Sequence, residues 1–282
     1  MTTSERLRER LQAAGVENAL QEARWMAELA RRKTDQPTTQ EARLDEWVCR
    51  RIAGEPFQYI VGSVEFYNIE LAVGPGVLIP RPETELLVEH ALQLLADTPS
   101  GTEVLDLCTG SGAIPLALAH ERPDLSYLGI DLSPEALAWA EHNRASLNPP
   151  LCQFLQGDLF APLGPPRPRF RLITANPPYV SPVEYRELPS EVKDFEPQLA
   201  LEADDDGMAI EKRIADEARG HLQPDGWLLL EIGESQGKRL AEHLQSLGYQ
   251  EVAILKDLAG RDRIAQAQWP SCRCKCAIRY EI

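Results

Sequence analysis

Apolar residues in the first 55 positions recur at three- and four-residue steps: Leu7, Leu11 and Ala14, then Leu20, Ala23, Ala27 and Ala30, then Leu44, Trp47, Val48 and Ile52. That spacing predicts three short amphipathic helices, broken near Gly15 and across the polar run 33–37. The pattern changes over 56–80. There Phe57, Tyr59, Val61, Val64, Phe66, Tyr67, Ile69, Leu71 and Val73 partly alternate, punctuated by Gly62 and Gly74-Pro75-Gly76. A β-hairpin joining the helical block to the rest of the chain is the simplest expectation. A helix at 83–96 follows, and from 102 onward strand and helix patterns alternate. Strands are expected at 102–107, 127–131, 151–156, 170–175 and 227–232, with helices at 113–121, 134–147, 207–222 and 235–247. Two closing strands near 249–255 and 263–268 have no helix between them, so they should pair antiparallel. Alternation of this kind predicts an α/β fold, a doubly wound and mostly parallel seven-stranded sheet with ligands at the carboxyl ends of its strands.

Composition narrows the function classes. The chain has 282 residues, and 29 basic against 44 acidic side chains leave a net charge of −15. Such a surface repels a phosphate backbone, so direct nucleic-acid binding is not expected. No apolar run reaches the roughly 18 residues needed to span a bilayer, and the N-terminus has no apolar signal core. A cytoplasmic protein without membrane contact is the expectation. Cys49, Cys108 and Cys152 are isolated and read as reduced thiols. Cys272, Cys274 and Cys276 form a C-x-C-x-C tail with no fourth ligand nearby, which reads as an alternating strand, and no metal site is expected.

Three strand ends carry candidate chemistry. The run Val104-Leu105-Asp106-Leu107-Cys108-Thr109-Gly110-Ser111-Gly112-Ala113 is a strand, a tight glycine loop and a helix start, where backbone N–H groups can approach a ligand without Cβ collision. Alone, G-x-G is a weak signal, because a tight turn explains it equally well. Asp131 ends the next strand and can accept from both ribose hydroxyls. Asp158, after the third strand, can accept from an adenine amino group, with Leu159 and Phe160 flanking the ring. Nothing nearby would bind a pyrophosphate, so the ligand is a simple nucleoside, and S-adenosyl-L-methionine fits that description. Asp106 faces the loop or, through a water, the methionine ammonium.

The strand 170–175 runs into Asn176-Pro177-Pro178-Tyr179. A proline-rich turn that stops a strand is the plain reading. The chemical reading is sharper: the Asn176 side-chain oxygen and the Pro177 carbonyl offer two fixed acceptors, and the Tyr179 ring offers a flat wall. Together they suit a planar –NH2 group conjugated to a carbonyl or a ring. An amide nitrogen is a poor nucleophile, and holding both of its hydrogens aims its lone pair at an electrophilic methyl.

The N-P-P-Y tetrad, with D-x-x-T-G-S-G at 106–112, resembles the amino-methyltransferases, which include adenine-N6 enzymes acting on nucleic acid and glutamine-N5 enzymes acting on proteins. Three further segments are similar to the peptide chain release factor glutamine methyltransferases: Gly54-Glu55-Pro56 with Tyr59-Ile60 and Gly62, the run 78–85, and Asp257-Leu258-Ala259-Gly260-Arg261-Asp262-Arg263. The resemblance covers nearly the whole chain. It implies a class I methyltransferase fold divided into a helical partner-binding domain over 1–55, a β-hairpin linker over 56–80 and a methyltransferase domain over 81–282. It further implies methylation of the glutamine of the Gly-Gly-Gln loop in bacterial class I release factors; a monomer is a separate expectation. By the same match, Asn176, Pro177, Pro178 and Tyr179 would bind glutamine. Cys108, Thr109, Gly110, Ser111, Gly112, Asp131, Leu159 and Asn176 would contact the methyl donor. Cys108 stands where the family usually has glycine, and Leu159 where an aromatic is frequent. A ribosomal-protein glutamine methyltransferase or an adenine-N6 enzyme is the alternative. The run 80–85 has two readings: an Arg81–Glu83 pair at a helix start, or one wall of the glutamine pocket.

Overall fold

The computed structural model describes residues 2–33, 36–167 and 169–271, so the cysteines at 272, 274 and 276 lie outside the described residues. The N-terminal block folds as α1 (Thr3–Ala13), α2 (Ala19–Lys33), α3 (Pro37–Ile52) and α4 (Phe57–Val61). Thr2 and Glu5 form a capping box that starts α1, and Gly15 at φ +81° follows its end. Leu7, Leu11, Ala23, Met26, Ala30, Leu44 and Val48 close a small core, joined by Ile60 and Val61 from α4.

The segment 56–80 departs from the expected single hairpin. Its first part is helix: Pro56 opens α4, and Gly62 at φ +84° closes it. Tyr59, Ile60 and Val61 are all buried, and three consecutive buried positions cannot alternate across a two-faced strand. The hairpin is confined to β1 (Ser63–Phe66) and β2 (Ile69–Ala72). Tyr67 and Asn68 turn it at φ 40° and 67°, the conformation of a two-residue mirror-image turn. Residues 73–81 are a loop leading to α5 (Pro82–Leu94).

The main sheet is built from β3 (Glu103–Leu107), β4 (Ser126–Asp131), β5 (Cys152–Gln156), β6 (Phe170–Ala175), β7 (Leu222–Glu231), β8 (Gln250–Lys256) and β9 (Asp262–Gln268). Their spatial order is β5-β4-β3-β6-β7-β9-β8. The first five pair in parallel, and β9 inserts antiparallel between β7 and β8. Side-chain alternation gives the sheet two buried faces. Val104, Leu172 and Leu229 pack with α5 and with α6 (Ala113–Glu121). Leu105, Ile173, Leu228 and Leu230 pack with α10 (Ala209–Ala218) and α11 (Gly237–Ser246). The remaining helices are α7 (Pro134–Leu147), after β4, and two short ones in the 176–208 connection, α8 (Pro182–Glu187) and α9 (Ser190–Lys193).

Strand β7 begins five residues earlier than its apolar run suggests, because Leu222 pairs with Phe170 before an irregularity resumes pairing at Trp227 with Leu172. Helix α10 accordingly ends at Ala218 rather than near 222. No helix among the described residues is long and apolar enough to cross a membrane. The strand order reverses between β3 and β6, and their carboxyl ends open a crevice there.

Candidate active site

A cleft lies at that crevice. One wall is the turn after β3, where Cys108, Thr109, Gly110 and Ser111 line the space. Glycine at 112 is required by packing as well as by φ +79°: a Cβ there would lie 2.8 Å from the Phe154 ring and 3.0 Å from Leu116. Cys108 adopts φ 54°, the left-handed region that favours glycine, so the residue that departs from the family pattern carries backbone strain. Burial and the neighbouring carboxylates, Asp131 foremost, push its thiol well above the ordinary range, which leaves it a protonated packing group. The Thr109 hydroxyl is buried beside Asp106, whose pKa it lowers.

Asp131, at the end of β4, lines the same cleft. Its Oδ2 accepts from the Gly110 N–H at 2.7 Å, and its Oδ1 accepts from the Ser133 N–H at 2.9 Å. Burial raises its pKa, and those two amides oppose the rise. Each oxygen keeps a second lone pair for a ligand hydroxyl. Asp158 and Leu159 also line the cleft, Asp158 with its Oδ2 held by Arg213 at 2.9 Å and Leu159 at φ 48°. Phe160 does not flank this space. It is buried in the core and stacks on His221 with ring centroids 4.7 Å apart, because the turn at Leu159 sends the next side chain under the sheet. Asp106 sits beneath the loop. Its Oδ1 accepts from the Thr174 hydroxyl at 2.7 Å, and burial pushes its pKa up to about 7 against the opposing pull of the Thr109 and Thr174 hydroxyls.

The opposite wall comes from the loop after the hairpin. Gly76, Val77, Leu78, Pro80 and Thr84 line the cleft, and the Tyr59 hydroxyl of α4 donates to the Val77 carbonyl. Asn143 of α7 ties this wall to the glycine turn: its Oδ1 accepts from the Ala72 N–H at 2.7 Å, and its Nδ2 donates to the Ser111 carbonyl at 3.0 Å. Arg81 does not pair with Glu83. It pairs with Glu196, whose other oxygen accepts from the Ile79 N–H at 3.0 Å. Glu196 is almost fully buried, and this clasp holds Pro197, Leu199 and Ala200 over the cleft. The Arg81–Glu83 reading therefore does not hold, since Arg81 pairs with Glu196 instead, while Pro80 and Thr84 of the same run line the cleft.

Of the tetrad, Asn176 and Pro178 line the cleft. The Asn176 Nδ2 donates to the Thr84 hydroxyl at 3.2 Å, and that hydroxyl donates to Glu231 Oε2 at 2.7 Å. The Tyr179 hydroxyl donates to the other oxygen of Glu231 at 3.3 Å, and its backbone carbonyl accepts from Gln236 Nε2 at 2.9 Å. Glu231 is fully buried at the end of β7. Desolvation raises its pKa, countered by Thr84, Arg263 and Tyr179. Sequence reasoning missed Asn143, Glu196 and Glu231, and held Thr84 only as a member of the 80–85 run. Only Glu231 had a readable signal, since an acidic residue closing the apolar run Leu228-Leu229-Leu230 is the same cue that singles out Asp131.

A family model described as PrmC N-terminal domain matches residues 4–62, and one described as Methyltransferase small domain matches residues 82–188. A release factor glutamine methyltransferase of Pseudomonas aeruginosa is 44% identical over 234 residues, which span 83% of each chain. One of Thermodesulfovibrio yellowstonii is 43% identical over 218 residues, 76% of this chain and 77% of the relative. Among solved structures, a methyltransferase from Pyrococcus furiosus matches with a TM-score of 0.52 at 18% identity, covering 83% of this chain and 99% of that one, a likeness of fold.

Proposed function

The chain belongs to the family of release factor glutamine methyltransferases, and from that membership we propose how its cleft moves a methyl group from S-adenosylmethionine to the side-chain amide nitrogen of a release factor glutamine. The protein is an S-adenosylmethionine-dependent protein-glutamine N5-methyltransferase with release factors as substrates. The groups lining the cleft suit that donor: a tight glycine turn and two carboxylates, Asp131 and Asp158, with Asp106 buried beneath the turn, around a ligand that is cationic at sulfur and nitrogen. In this reading Cys108, Thr109, Gly110, Ser111 and Gly112 cradle the methionine end. Asp131 accepts from the ribose hydroxyls, and Asp158 and Leu159 border the adenine. When bound, S-adenosylmethionine supplies an electrophilic methyl on its sulfonium.

The tetrad handles the nucleophile. Asn176 Oδ1 and the Pro177 carbonyl accept the two hydrogens of the glutamine –NH2, Pro178 stiffens the turn, and Tyr179 anchors it against Glu231. Holding both hydrogens orients the nitrogen lone pair and stabilises the positive charge that grows on it during transfer. The methylated nitrogen is acidic and loses its proton afterwards, so no strong base is needed first. The glutamine is that of the Gly-Gly-Gln loop. Residues 1–55 meet the body of the factor, and the enzyme works as a cytoplasmic monomer without direct nucleic-acid contact.

The observation that carries this reading is Asn176 lining the same cleft as Asp131 and residues 108–111 of the glycine turn. Steady-state kinetics separate the roles. Asp131→Ala should raise the Kd for S-adenosylmethionine about 10- to 100-fold, two lost charge-assisted hydrogen bonds. Asn176→Ala, which removes at most one donor contact, should raise that Kd less than Asp131→Ala does and lower kcat about 100-fold or more. Wild-type kcat in Asn176→Ala would reject the assignment.

A further inference from the structure

We propose that Thr84 and Glu231 are positioning residues that decide which end of the Asn176 amide faces the substrate, an inference that rests on the role given to Asn176 above. An ionised carboxylate only accepts hydrogen bonds. The Thr84 hydroxyl hydrogen is therefore committed to Glu231 Oε2, 2.7 Å away. Its oxygen has only lone pairs left, and at 3.2 Å these hold the nitrogen end of Asn176. The oxygen end is left for the cleft, where glutamine –NH2 needs an acceptor. The direction of every bond in this chain is set by the charge on Glu231, which lies 147 positions from Thr84 and is brought beside it where β7 ends next to the start of α5.

Proton uptake on Oε2 of Glu231, the oxygen that faces Thr84, reverses the chain. A protonated carboxyl can donate to Thr84, whose hydroxyl then turns its hydrogen toward Asn176. The amide must rotate to accept it and offers –NH2 to the substrate –NH2, two donors face to face. The charged and titratable groups around Glu231 are Arg263 on β9, Glu83 on α5 and Tyr179 after β6. Arg263 favours the anion and Glu83 opposes it, while burial holds the group above the ordinary carboxylate range. Methyl transfer should therefore fall on the acid side, as pH drops through a value above that of a free glutamate.

The test is the pH profile of kcat for methyl transfer to a purified release factor, with the Kd for S-adenosylmethionine and the melting temperature measured on each variant. Thr84→Val keeps the shape and removes the hydroxyl; kcat should fall about 10- to 100-fold with the Kd unchanged. Thr84→Ser should restore most of the loss. Glu231→Gln can still accept from Thr84 through its amide oxygen, so it should stay active at neutral pH and lose the acid limb seen in the wild type. A folded Thr84→Val enzyme with wild-type kcat, or an unchanged acid limb in Glu231→Gln, overturns the inference. If Thr84→Val does not fold, the Glu231→Gln profile decides alone. Full activity in Asn176→Ala would bring down the role of Asn176 and this inference with it. An inactive Asn176→Ala beside a fully active Thr84→Val would bring down the positioning chain only.

Discussion

Replacing Gly207 by alanine tests whether the tetrad is held by backbone packing from the far side of its loop. Gly207 adopts φ +82°, and a Cβ on it would lie 2.0 Å from the Tyr179 carbonyl oxygen and 2.6 Å from Gln236 Nε2. An L-residue in the left-handed region costs about 1–2 kcal/mol, partly offset by the lower chain entropy of alanine. The collision is with a backbone carbonyl that cannot swing away, and such overpacking costs about 1–3 kcal/mol more. The Gln236–Tyr179 hydrogen bond, 2.9 Å long, lies in the path of the new methyl and contributes about 1 kcal/mol. The sum, after that offset, is about 2–5 kcal/mol, or a fall of roughly 4–20 °C in melting temperature for a chain of this size. Gly62→Ala supplies the control, because Gly62 has φ +84° with open space around its Cβ direction, so only the backbone cost of about 1 kcal/mol remains. The assay is thermal unfolding of both variants beside kcat for methyl transfer. Gly207→Ala should lose more stability than Gly62→Ala and about 10-fold or more in kcat, since Tyr179 adjoins the cleft-lining Pro178. Equal melting temperatures for the two variants would refute the reasoning.

Glu211 on α10 is fully buried with neither carboxylate oxygen hydrogen-bonded, and desolvation pushes its pKa up to about 8. The folded state then keeps a proton that the unfolded chain releases near its ordinary value, so stability falls as pH rises from about 4.5 to about 8. Glu211→Gln should be more stable than wild type by a few kcal/mol at the top of that window and equal to it below the bottom; urea unfolding at both ends checks this, and parallel pH curves would contradict it. Arg81→Ala leaves Glu196 buried without its cation, and because Arg81 is about one-third exposed the loss should be about 1–3 kcal/mol. A wild-type melting temperature with reduced methylation would instead make Arg81 a pure substrate contact.

What was legible in the sequence followed from local physics. The strands from 102 to 175 announce themselves because each is a short apolar run ended by a chemistry-bearing residue, and the turn over 108–112 declares its glycines. The first part of the 56–80 segment misled because Phe57, Tyr59 and Val61 alternate over only five positions, too few to separate a single helical turn from a strand. Pro56 before it and Gly62 after it were the available clues. Phe160 looked like a ring wall by adjacency to Asp158, but backbone direction at Leu159, not sequence order, sets where it points. The Asn176–Thr84–Glu231–Tyr179 chain and the Arg81–Glu196 clasp join residues up to 147 positions apart. They exist only once the order β3-β6-β7 sets α5 beside those strand ends, and no local pattern encodes that proximity.

The most direct measurement is peptide mapping by mass spectrometry of a purified class I release factor incubated with this enzyme and S-adenosylmethionine, beside an Asn176→Ala control. A gain of one methyl on the glutamine of the Gly-Gly-Gln peptide, absent in the control, is the expected result. An unmodified Gly-Gly-Gln peptide alongside a methylated ribosomal protein or nucleic acid would contradict it.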